Sequence, residues 1–356
     1  MSLTKKITKI KKIKKTKTKS TKKSQCRISD TNNVGILQGS KIVYDNGKII
    51  IKNYKSTSDT LYQIGSCSKF ITAIVVAKLY ELGKLDYDTD INKYLKKWKC
   101  PQKGITLKHL LTHTSGSSDG NGYLGESPQR YLEQNLDFNI KIINGEWSLG
   151  TRFNTTEKPG KKFMYSGAGF QVIQQVLEEI TNERLYKLME KYLFTPLNMK
   201  NSTGKLLYEG EHNYLLADMD GLYRMHLETA AAGVWMSCND LLTFTLDLMN
   251  SYNNNSGKIL QQETMKLITK NYNTGDKKLF EKWSLGMEHV EDENGNRKFG
   301  HSGGLYGSQM DCYCIPEKNY INIFMINHNP KIDFNCDKVK KKAVKNLDLS
   351  NTIFNL

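Results

Sequence analysis

The order of local patterns along the chain is the feature that most constrains its fold. An Asn46-Gly47 pair between two β-branched runs predicts a tight hairpin near the start. Two more strands are predicted at residues 309–315 and 320–326, and Pro316-Glu-Lys-Asn between them is a good turn signal. The region between these strand-rich ends is helical and loop-rich. Strands first, helices in the middle and strands last predict an α+β fold with a helical insertion.

Three helices are needed to interpret the motifs below. The first is predicted at about residues 66–82, with a broad buried stripe of apolar side chains. The second is predicted at residues 231–249, where Asn239 or Asp240 can cap its main part. The last is predicted at residues 337–347.

The positive charge of the chain is concentrated at one end. The formal net charge is +16, and residues 1–25 hold 11 Lys with no Asp or Glu, so removing these 11 charges leaves +5 for the rest. Such a run is typical of a solvated, disordered arm. The alternatives are contact with nucleic acid through residues 5–23, a nuclear address, or a weak amphipathic helix on an anionic membrane.

Composition also indicates a compartment. No run of about 18 uncharged apolar residues is present, so no transmembrane segment is predicted. The basic tail lacks the apolar region of a secretory signal. The seven Cys are odd in number and widely spaced, and Cys312-x-Cys314 does not match common zinc spacing. Reduced thiols in the cytoplasm are the simplest interpretation.

The first candidate motif is Ser66-Cys67-Ser68-Lys69. Positions i and i+3 share one face of a helix, so the Ser66 hydroxyl and the Lys69 amine are expected to meet. A buried amine beside other cations has a lowered pKa and can accept the hydroxyl proton, which would make Ser66 a nucleophile. Taken alone the motif is weak, because a helix cap followed by a surface Lys gives the same pattern.

The second candidate is Tyr165, which follows Pro159-Gly160 and precedes Ser166-Gly167. A Tyr in a glycine-rich turn before a helix can point into a cleft. Two cationic neighbours would lower its phenol pKa and let it act as a general base. Without further context, one of the 19 Tyr of this chain is more simply a packing residue.

The third candidate is the run His301-Ser302-Gly303-Gly304. Several glycines beside a strand allow the backbone to approach a ligand closely. One amide of this run is placed to complete an oxyanion hole with the amide of Ser66. His301 can hold a substrate carboxylate or help with proton transfer. The alternative is a glycine-rich hairpin bend with an incidental His.

As a set, these motifs resemble those of a known family. Ser66-x-x-Lys69, Pro-Gly-x-x-Phe-x-Tyr165-Ser and His301-x-Gly-Gly are similar in order and spacing to class C β-lactamases and D-alanyl-D-alanine carboxypeptidases. The resemblance is closest to the His-x-Gly esterase, aminopeptidase and LACTB-like branches. Further matching segments lie at residues 105–116, 194–199 and 231–237, and the resemblance covers roughly residues 35–330.

The resemblance implies a fold, an activity and roles for residues. The fold would be of the β-lactamase/transpeptidase type, an antiparallel sheet flanked by helices with an inserted all-helical domain. Ser66 would form an acyl-enzyme, with Lys69 and Tyr165 handling protons. The amides of Ser66 and Gly304 would form the oxyanion hole. No metal and no organic cofactor is implied. The substrate would be a β-lactam, an ester, or a small peptide or amide.

The same resemblance implies how the chain is divided. After the basic tail at residues 1–25, which the charge pattern predicts, residues 26–100 and 232–356 would be the sheet domain and residues 101–231 the helical domain. His301, Ser302 and Gly303 would line the substrate site, with His301 in the place of the family's lysine. His113 and Ser115 would be structural.

Three departures from the family pattern leave the activity open. Gly167 stands where an Asn often binds the substrate amide, and His301 stands where a Lys is usual. The chain also leaves little room before residues 34–39, so the first strand is expected to be trimmed. A catalytically weak binding or scaffold protein, or a nucleic-acid-associated protein acting through its tail, is the alternative to a serine hydrolase.

Overall fold

The computed structural model describes most of the chain between Ile36 and His328. The described residues are 36–117, 138–146, 152–207, 226–272, 283–291, 294–305 and 307–328. The basic tail, the final helix predicted at residues 337–347, and Cys26 and Cys336 all lie outside them.

A six-stranded antiparallel sheet forms one side of the molecule. Its strands are β1 (Ile36–Asp45), β2 (Lys48–Tyr54), β6 (Glu288–Glu291), β7 (Arg297–Leu305), β8 (Ser308–Ile315) and β9 (Tyr320–His328). Their order across the sheet is β2-β1-β9-β8-β7-β6. The first and last thirds of the chain therefore pair with each other, which confirms the predicted α+β class.

The predicted hairpin is present between β1 and β2. Asp45 pairs with Lys48, and both residues of the Asn46-Gly47 turn have positive φ, at 48° and 89°. Asn and Gly tolerate this left-handed backbone, which matches the twist of the flanking strands. The expected trimming of the first strand is wrong. β1 has ten residues and pairs with β2 on one side and β9 on the other, so it lies inside the sheet.

Helices cover the sheet and build the middle of the chain. They are α1 (Ser68–Glu81), α2 (Leu107–Leu111), α3 (Phe138–Asn144), α4 (Gly167–Thr181), α5 (Leu185–Met189), α6 (Cys238–Asn254) and α7 (Gln262–Ile268). A π-helical turn at Glu190–Phe194 follows α5. One continuous core of buried apolar side chains joins α1, α4 and α6 to strands β7–β9.

Helix α1 is the centre of this core. Every residue from Ser68 to Ala77 is buried, so its burial extends around the whole helix rather than along the stripe expected from the sequence. Phe70 packs edge-on against Phe244 of α6 at 5.4 Å between ring centroids. Because α1 is enclosed on all sides, the side chains at its first turn are held in fixed positions.

A small second sheet fixes the approach to α1, and it corrects one sequence prediction. Strands β3 (Tyr62–Gln63), β5 (Trp235–Met236) and β4 (Ser202–Thr203) pair in that order. The helix predicted at residues 231–249 therefore begins only at Cys238. Its cap is Ser237, whose hydroxyl accepts a hydrogen bond from the Asp240 amide, so Asn239 and Asp240 lie inside the helix.

The predictions about a transmembrane segment and about domain boundaries can be compared with the described residues only. Among these residues, no helix combines the length and the apolar character needed to cross a membrane. Within the described residues between 101 and 231, the regular elements are helices apart from the two-residue strand β4. The domain boundaries drawn from the sequence stay a prediction.

Candidate active site

Ser66 and Lys69 meet at the start of α1. Ser66 lies in a short 3-10 turn, Gly65–Cys67, that leads into the helix, and Gly65 has a φ of +50°. One turn later the Lys69 amine donates a hydrogen bond to the Ser66 hydroxyl, with 3.2 Å between Nζ and Oγ. The contact expected from the i, i+3 spacing is therefore present.

The Lys69 side chain is completely buried. Its relative exposure is 0%, and its Nζ also donates to the Ala231 carbonyl oxygen at 2.9 Å. The amine lies 4.8 Å from the centre of the Tyr165 ring and 5.7 Å from that of Phe170. Aromatic faces attract a cation, so these rings compensate part of the cost of removing the ammonium group from water.

The backbone around Ala231 is fixed from α1. The Thr72 hydroxyl, three residues after Lys69, donates to the Ala230 carbonyl oxygen at 3.0 Å, and the Ile64 amide donates to the Val234 carbonyl oxygen at 3.0 Å. The segment before α6 is therefore held to α1 at several points, which explains why it is not helical. No local pattern in residues 231–237 indicates these distant contacts.

Tyr165 lies directly before α4 and is partly exposed. The α4 cap, Ser166, accepts from the Gly169 amide at 3.0 Å, while the Ser166 amide donates to His113 Nδ1 at 3.0 Å. The His113 ring packs on the Tyr165 ring with 4.3 Å between centroids. Because His113 is fully buried and binds backbone, it supports the position of Tyr165 rather than facing the site.

Glycines let strand β7 approach the turn that carries Ser66. A Cβ at Gly303 would lie 2.2 Å from the Ile64 carbonyl oxygen and 3.2 Å from the Cys67 amide nitrogen. A Cβ at Gly65 would lie 3.2 Å from the Gly304 amide nitrogen. Only residues without side chains fit this approach. It places the backbone of Gly304 beside the turn of Ser66, as an oxyanion hole requires.

His301 is buried on the same strand, with a relative exposure of 1%. Its Nδ1 lies 2.5 Å from the Ser302 carbonyl oxygen, which can only accept, so Nδ1 carries the proton. Its ring centre is 5.5 Å from that of Trp283 and 6.4 Å from that of Tyr165. Within the described part of the chain, Nε2 makes no hydrogen bond.

The electrostatic setting keeps the His301 ring neutral. Burial lowers the pKa of His301, the Glu288 carboxylate opposes this, and the Lys69 charge adds to the lowering. The net direction is downward from the ordinary value near 6.5. A neutral imidazole lacks the positive charge of the Lys that is usual at this position, so it holds a substrate carboxylate less well.

Glu288, on the neighbouring strand β6, is a site residue that sequence reasoning missed. Its Oε1 accepts from the Ser302 hydroxyl at 2.7 Å and from the Ser302 amide at 3.2 Å, and it lies 3.7 Å from His301 Nδ1. Its Oε2 accepts from the Tyr313 hydroxyl at 2.6 Å. Burial alone would raise the pKa of Glu288, but the hydrogen bonds from Tyr313 and Ser302 lower it, so the carboxyl is ionised.

The structure thus brings together the residues that the sequence singled out. Ser66, Lys69, Tyr165, His301 and Gly303-Gly304 come from three separate parts of the chain and lie next to one another. Among the described residues, no group of three or more His, Cys, Asp or Glu side chains is arranged to hold a metal ion.

An antiparallel sheet covered by helices, with a Ser-x-x-Lys pair at the first turn of the central helix, defines the class of β-lactamase-fold hydrolases. A family model described as Beta-lactamase matches residues 30–345. Because that match spans most of the chain, this protein belongs to the Beta-lactamase family.

Solved structures share the fold over nearly the whole chain. The octameric penicillin-binding protein homologue from Pyrococcus abyssi superposes with a TM-score of 0.68 at 21% identity, covering 90% of this chain and 75% of that one. A D-stereospecific amidohydrolase from Streptomyces sp. superposes with a TM-score of 0.62 at 18% identity, covering 89% of this chain and 95% of that one. At these identities the likeness establishes the fold alone.

One curated relative is the teichoic acid D-alanine hydrolase of Staphylococcus aureus. The two sequences are 29% identical over 177 residues, which is 47% of this chain and 41% of that protein. The match to this chain therefore spans less than half the length of the relative.

Proposed function

We propose that this protein is a serine hydrolase that works through an acyl-enzyme on Ser66. The Ser66 oxygen attacks the substrate carbonyl carbon as its one proton passes to the Tyr165 oxygen, which acts as a phenolate beside the Lys69 ammonium group. The same proton then goes to the leaving alcohol or amine as its bond to the carbonyl carbon breaks. Water then attacks the carbonyl carbon of the acyl group. Its proton passes to the Tyr165 oxygen and on to the Ser66 oxygen as the acyl bond breaks.

The contact between Lys69 Nζ and Ser66 Oγ, at 3.2 Å inside a closed core, is the observation that carries this proposal. Burying a Lys completely is costly, so a folded protein keeps one mainly where it is paired or used. Here the amine points at a partly exposed hydroxyl that a substrate can reach. The Tyr165 ring over the same amine supports a shared role in proton transfer.

The backbone beside Ser66 supports the part of the proposed mechanism that stabilises the tetrahedral intermediate. In our proposal the amides of Ser66 and Gly304 bind the oxygen that becomes negative in the tetrahedral intermediate. His301, Ser302 and Gly303 then form the wall of the substrate site along β7. The close approach of β7 to the 65–67 turn is what makes this arrangement feasible.

For the substrate we propose an ester or amide of a small D-amino acid in preference to a β-lactam. The names of the curated relative and of the D-stereospecific structural neighbour support this class. Two departures within the chain agree with it: the neutral His301 in place of a cation, and Gly167 in place of an amide-binding Asn.

A cytoplasmic location is also part of the proposal. The five cysteines in the described ranges, namely Cys67, Cys100, Cys238, Cys312 and Cys314, are free and buried. Free thiols agree with a reducing compartment. Residues 5–23 lie outside the described residues, so contact with nucleic acid is not part of the proposed function.

Turnover of a substrate panel tests the proposal. D-alanyl and L-alanyl p-nitrophenyl esters, D-alanine amide and nitrocefin are compared at equal enzyme concentration, with Ser66→Ala as the matched control. We expect D-alanyl ester hydrolysis by the wild type, slower nitrocefin turnover, and no activity above background in Ser66→Ala. Equal rates for wild type and Ser66→Ala on every substrate would refute the hydrolase.

A further inference from the structure

The Glu288 carboxylate reaches from β6 to the β7 wall, the part of the proposed substrate site formed by His301, Ser302 and Gly303. Glu288 pairs in register with Gly300, so its side chain extends along β7 toward Ser302. Three donors bind its two oxygens: the Ser302 amide, the Ser302 hydroxyl and the Tyr313 hydroxyl. A carboxylate held by three donors is fixed in place and keeps its negative charge.

This arrangement decides which hydrogen-bonding groups the wall can offer. A hydroxyl has one proton, and Ser302 donates it to Glu288, so only lone pairs of Ser302 Oγ remain for a ligand. His301 donates its Nδ1 proton to the Ser302 carbonyl oxygen, so Nε2 carries a lone pair. That buried Nε2 has no hydrogen-bond partner in the described ranges, and toward a ligand that reached it this atom could only accept.

Charged and titratable groups from three other parts of the fold also lie near His301. Lys69 on α1 already donates to Ser66 and to the Ala231 carbonyl oxygen. His113, after α2, is buried and its pKa is lowered by burial, then by Lys69 and His301, so it adds no positive charge. The Tyr165 ring packs from the turn before α4. Glu288 therefore supplies the fixed charge closest to the His301-Ser302 wall.

We propose that Glu288 is a specificity-determining residue that excludes carboxylate-bearing substrates from the β7 wall and favours substrates that present a hydrogen-bond donor there. It acts by committing the Ser302 proton, by supporting the Nδ1–H form of His301 and by its own negative charge. A carboxylate at this wall meets a like charge and two acceptors, whereas an ammonium or amide N–H meets three acceptors. This inference rests on the proposed hydrolysis at Ser66.

The test uses two depsipeptide esters that differ only at one end, one with a terminal carboxylate and one with a carboxamide. The ratio of their kcat/KM values is measured for the wild type and for Glu288→Gln, which keeps the size but removes the charge. The wild type is expected to favour the carboxamide. In Glu288→Gln the ratio should shift toward the carboxylate substrate by about tenfold or more.

Two variants separate charge from structure. Glu288→Asp keeps the charge and should therefore retain the wild-type preference for the carboxamide substrate. Tyr313→Phe removes one hydrogen bond of Glu288 without removing its charge, so it should lower the melting temperature while leaving the ratio near that of the wild type.

The outcomes distinguish this inference from the function beneath it. If both substrates are hydrolysed at Ser66 and Glu288→Gln leaves the ratio unchanged, Glu288 is not a specificity residue although the hydrolase stands. A wild-type preference for the carboxylate substrate also overturns the inference. This measurement uses the wild type alone, so it does not depend on whether a variant folds. If neither substrate is hydrolysed and Ser66 is not acylated, the proposed function itself fails.

Discussion

At the scale of single residues, the complete burial of Lys69 is an unusual feature. An ammonium group without water loses several kcal/mol of solvation, and a few hydrogen bonds and ring contacts recover only part of it. An apolar side chain of similar length would avoid that cost. The structure therefore keeps a cation where stability alone would favour methionine, directly beside the Ser66 hydroxyl.

Replacing Lys69 with Met should separate activity from stability. We expect ester hydrolysis to fall about 10²–10⁴-fold, which is the usual range for losing an acid–base group. The free energy of unfolding should stay the same or rise, because the buried charge is gone while the volume is kept. Steady-state kinetics and urea unfolding measure the two effects.

Lys78→Met is the matched control on the same helix. Lys78 donates to the Ile259 carbonyl oxygen at 2.7 Å and lies away from Ser66. Its loss should cost about 1 kcal/mol of stability and leave activity intact. If Lys69→Met kept full activity, Lys69 would not take part in proton transfer.

The buried histidines predict how stability depends on pH. Burial lowers the pKa of both His113 and His301, whereas in the unfolded chain each takes up a proton near pH 6.5. Below that pH the unfolded state binds more protons than the folded state, so stability falls as the pH falls. Each such histidine contributes about 2 kcal/mol of loss between pH 6.5 and 5.

Urea unfolding at several pH values checks this expectation. The free energy of unfolding of the wild type should decrease steadily from pH 7 to 5. In His301→Gln one titrating group is removed, so the decrease should be shallower. Identical pH slopes for wild type and variant would mean that folding does not lower the pKa of His301.

The sequence could predict some of these residues and not others, for a physical reason. Ser66 and Lys69 are three positions apart, so helix geometry alone brings them together. Glu288 meets Ser302 only because β6 and β7 pair in a particular register, with Glu288 opposite Gly300. No local pattern marks that register, so this carboxylate was missed.

At the scale of elements, the approach of β7 to the turn before α1 controls the site. Gly303 touches backbone atoms of Ile64 and Cys67, so an added Cβ there must push the two elements apart. In Gly303→Ala we expect a loss of about 1–3 kcal/mol in stability. Activity should fall as well, because a displacement of about 1 Å between catalytic groups can cost about 10²-fold.

Gly304→Ala is the neighbouring control for stability. Its added Cβ meets only the Gln309 side-chain oxygen at 3.5 Å, an ordinary contact, and Gly304 is exposed. Thermal unfolding should therefore show a clearly lower melting temperature for Gly303→Ala and a nearly unchanged one for Gly304→Ala. Equal shifts for both variants would contradict the close approach of β7.

Element boundaries followed from the sequence where local signals decide them. The Asn46-Gly47 turn fixes the β1–β2 hairpin, since those residues accept positive φ. The start of α6 was placed seven residues too early, because the apolar residues 231–236 also satisfy a helical pattern. In the fold these residues bind β3, β4 and α1 instead, and such distant partners override local propensity.

At the scale of the whole molecule, the sheet closes the chain on itself. β1 from the first third pairs with β9 from the last third, and β7 is brought to the start of α1. The proposed site therefore depends on the fold being complete, with the segment before α4 supplying Tyr165. This dependence explains why each motif was ambiguous alone and informative only in its order along the chain.

Covalent labelling tests the central claim most directly. The protein is treated with a fluorophosphonate or a penicillin, and intact mass spectrometry with peptide mapping locates the adduct, with Ser66→Ala as the control. We expect one adduct per chain on the peptide that contains Ser66, and none in Ser66→Ala. An adduct on Ser68 or Ser115, or labelling that persists in Ser66→Ala, would contradict the assignment of Ser66 as the nucleophile.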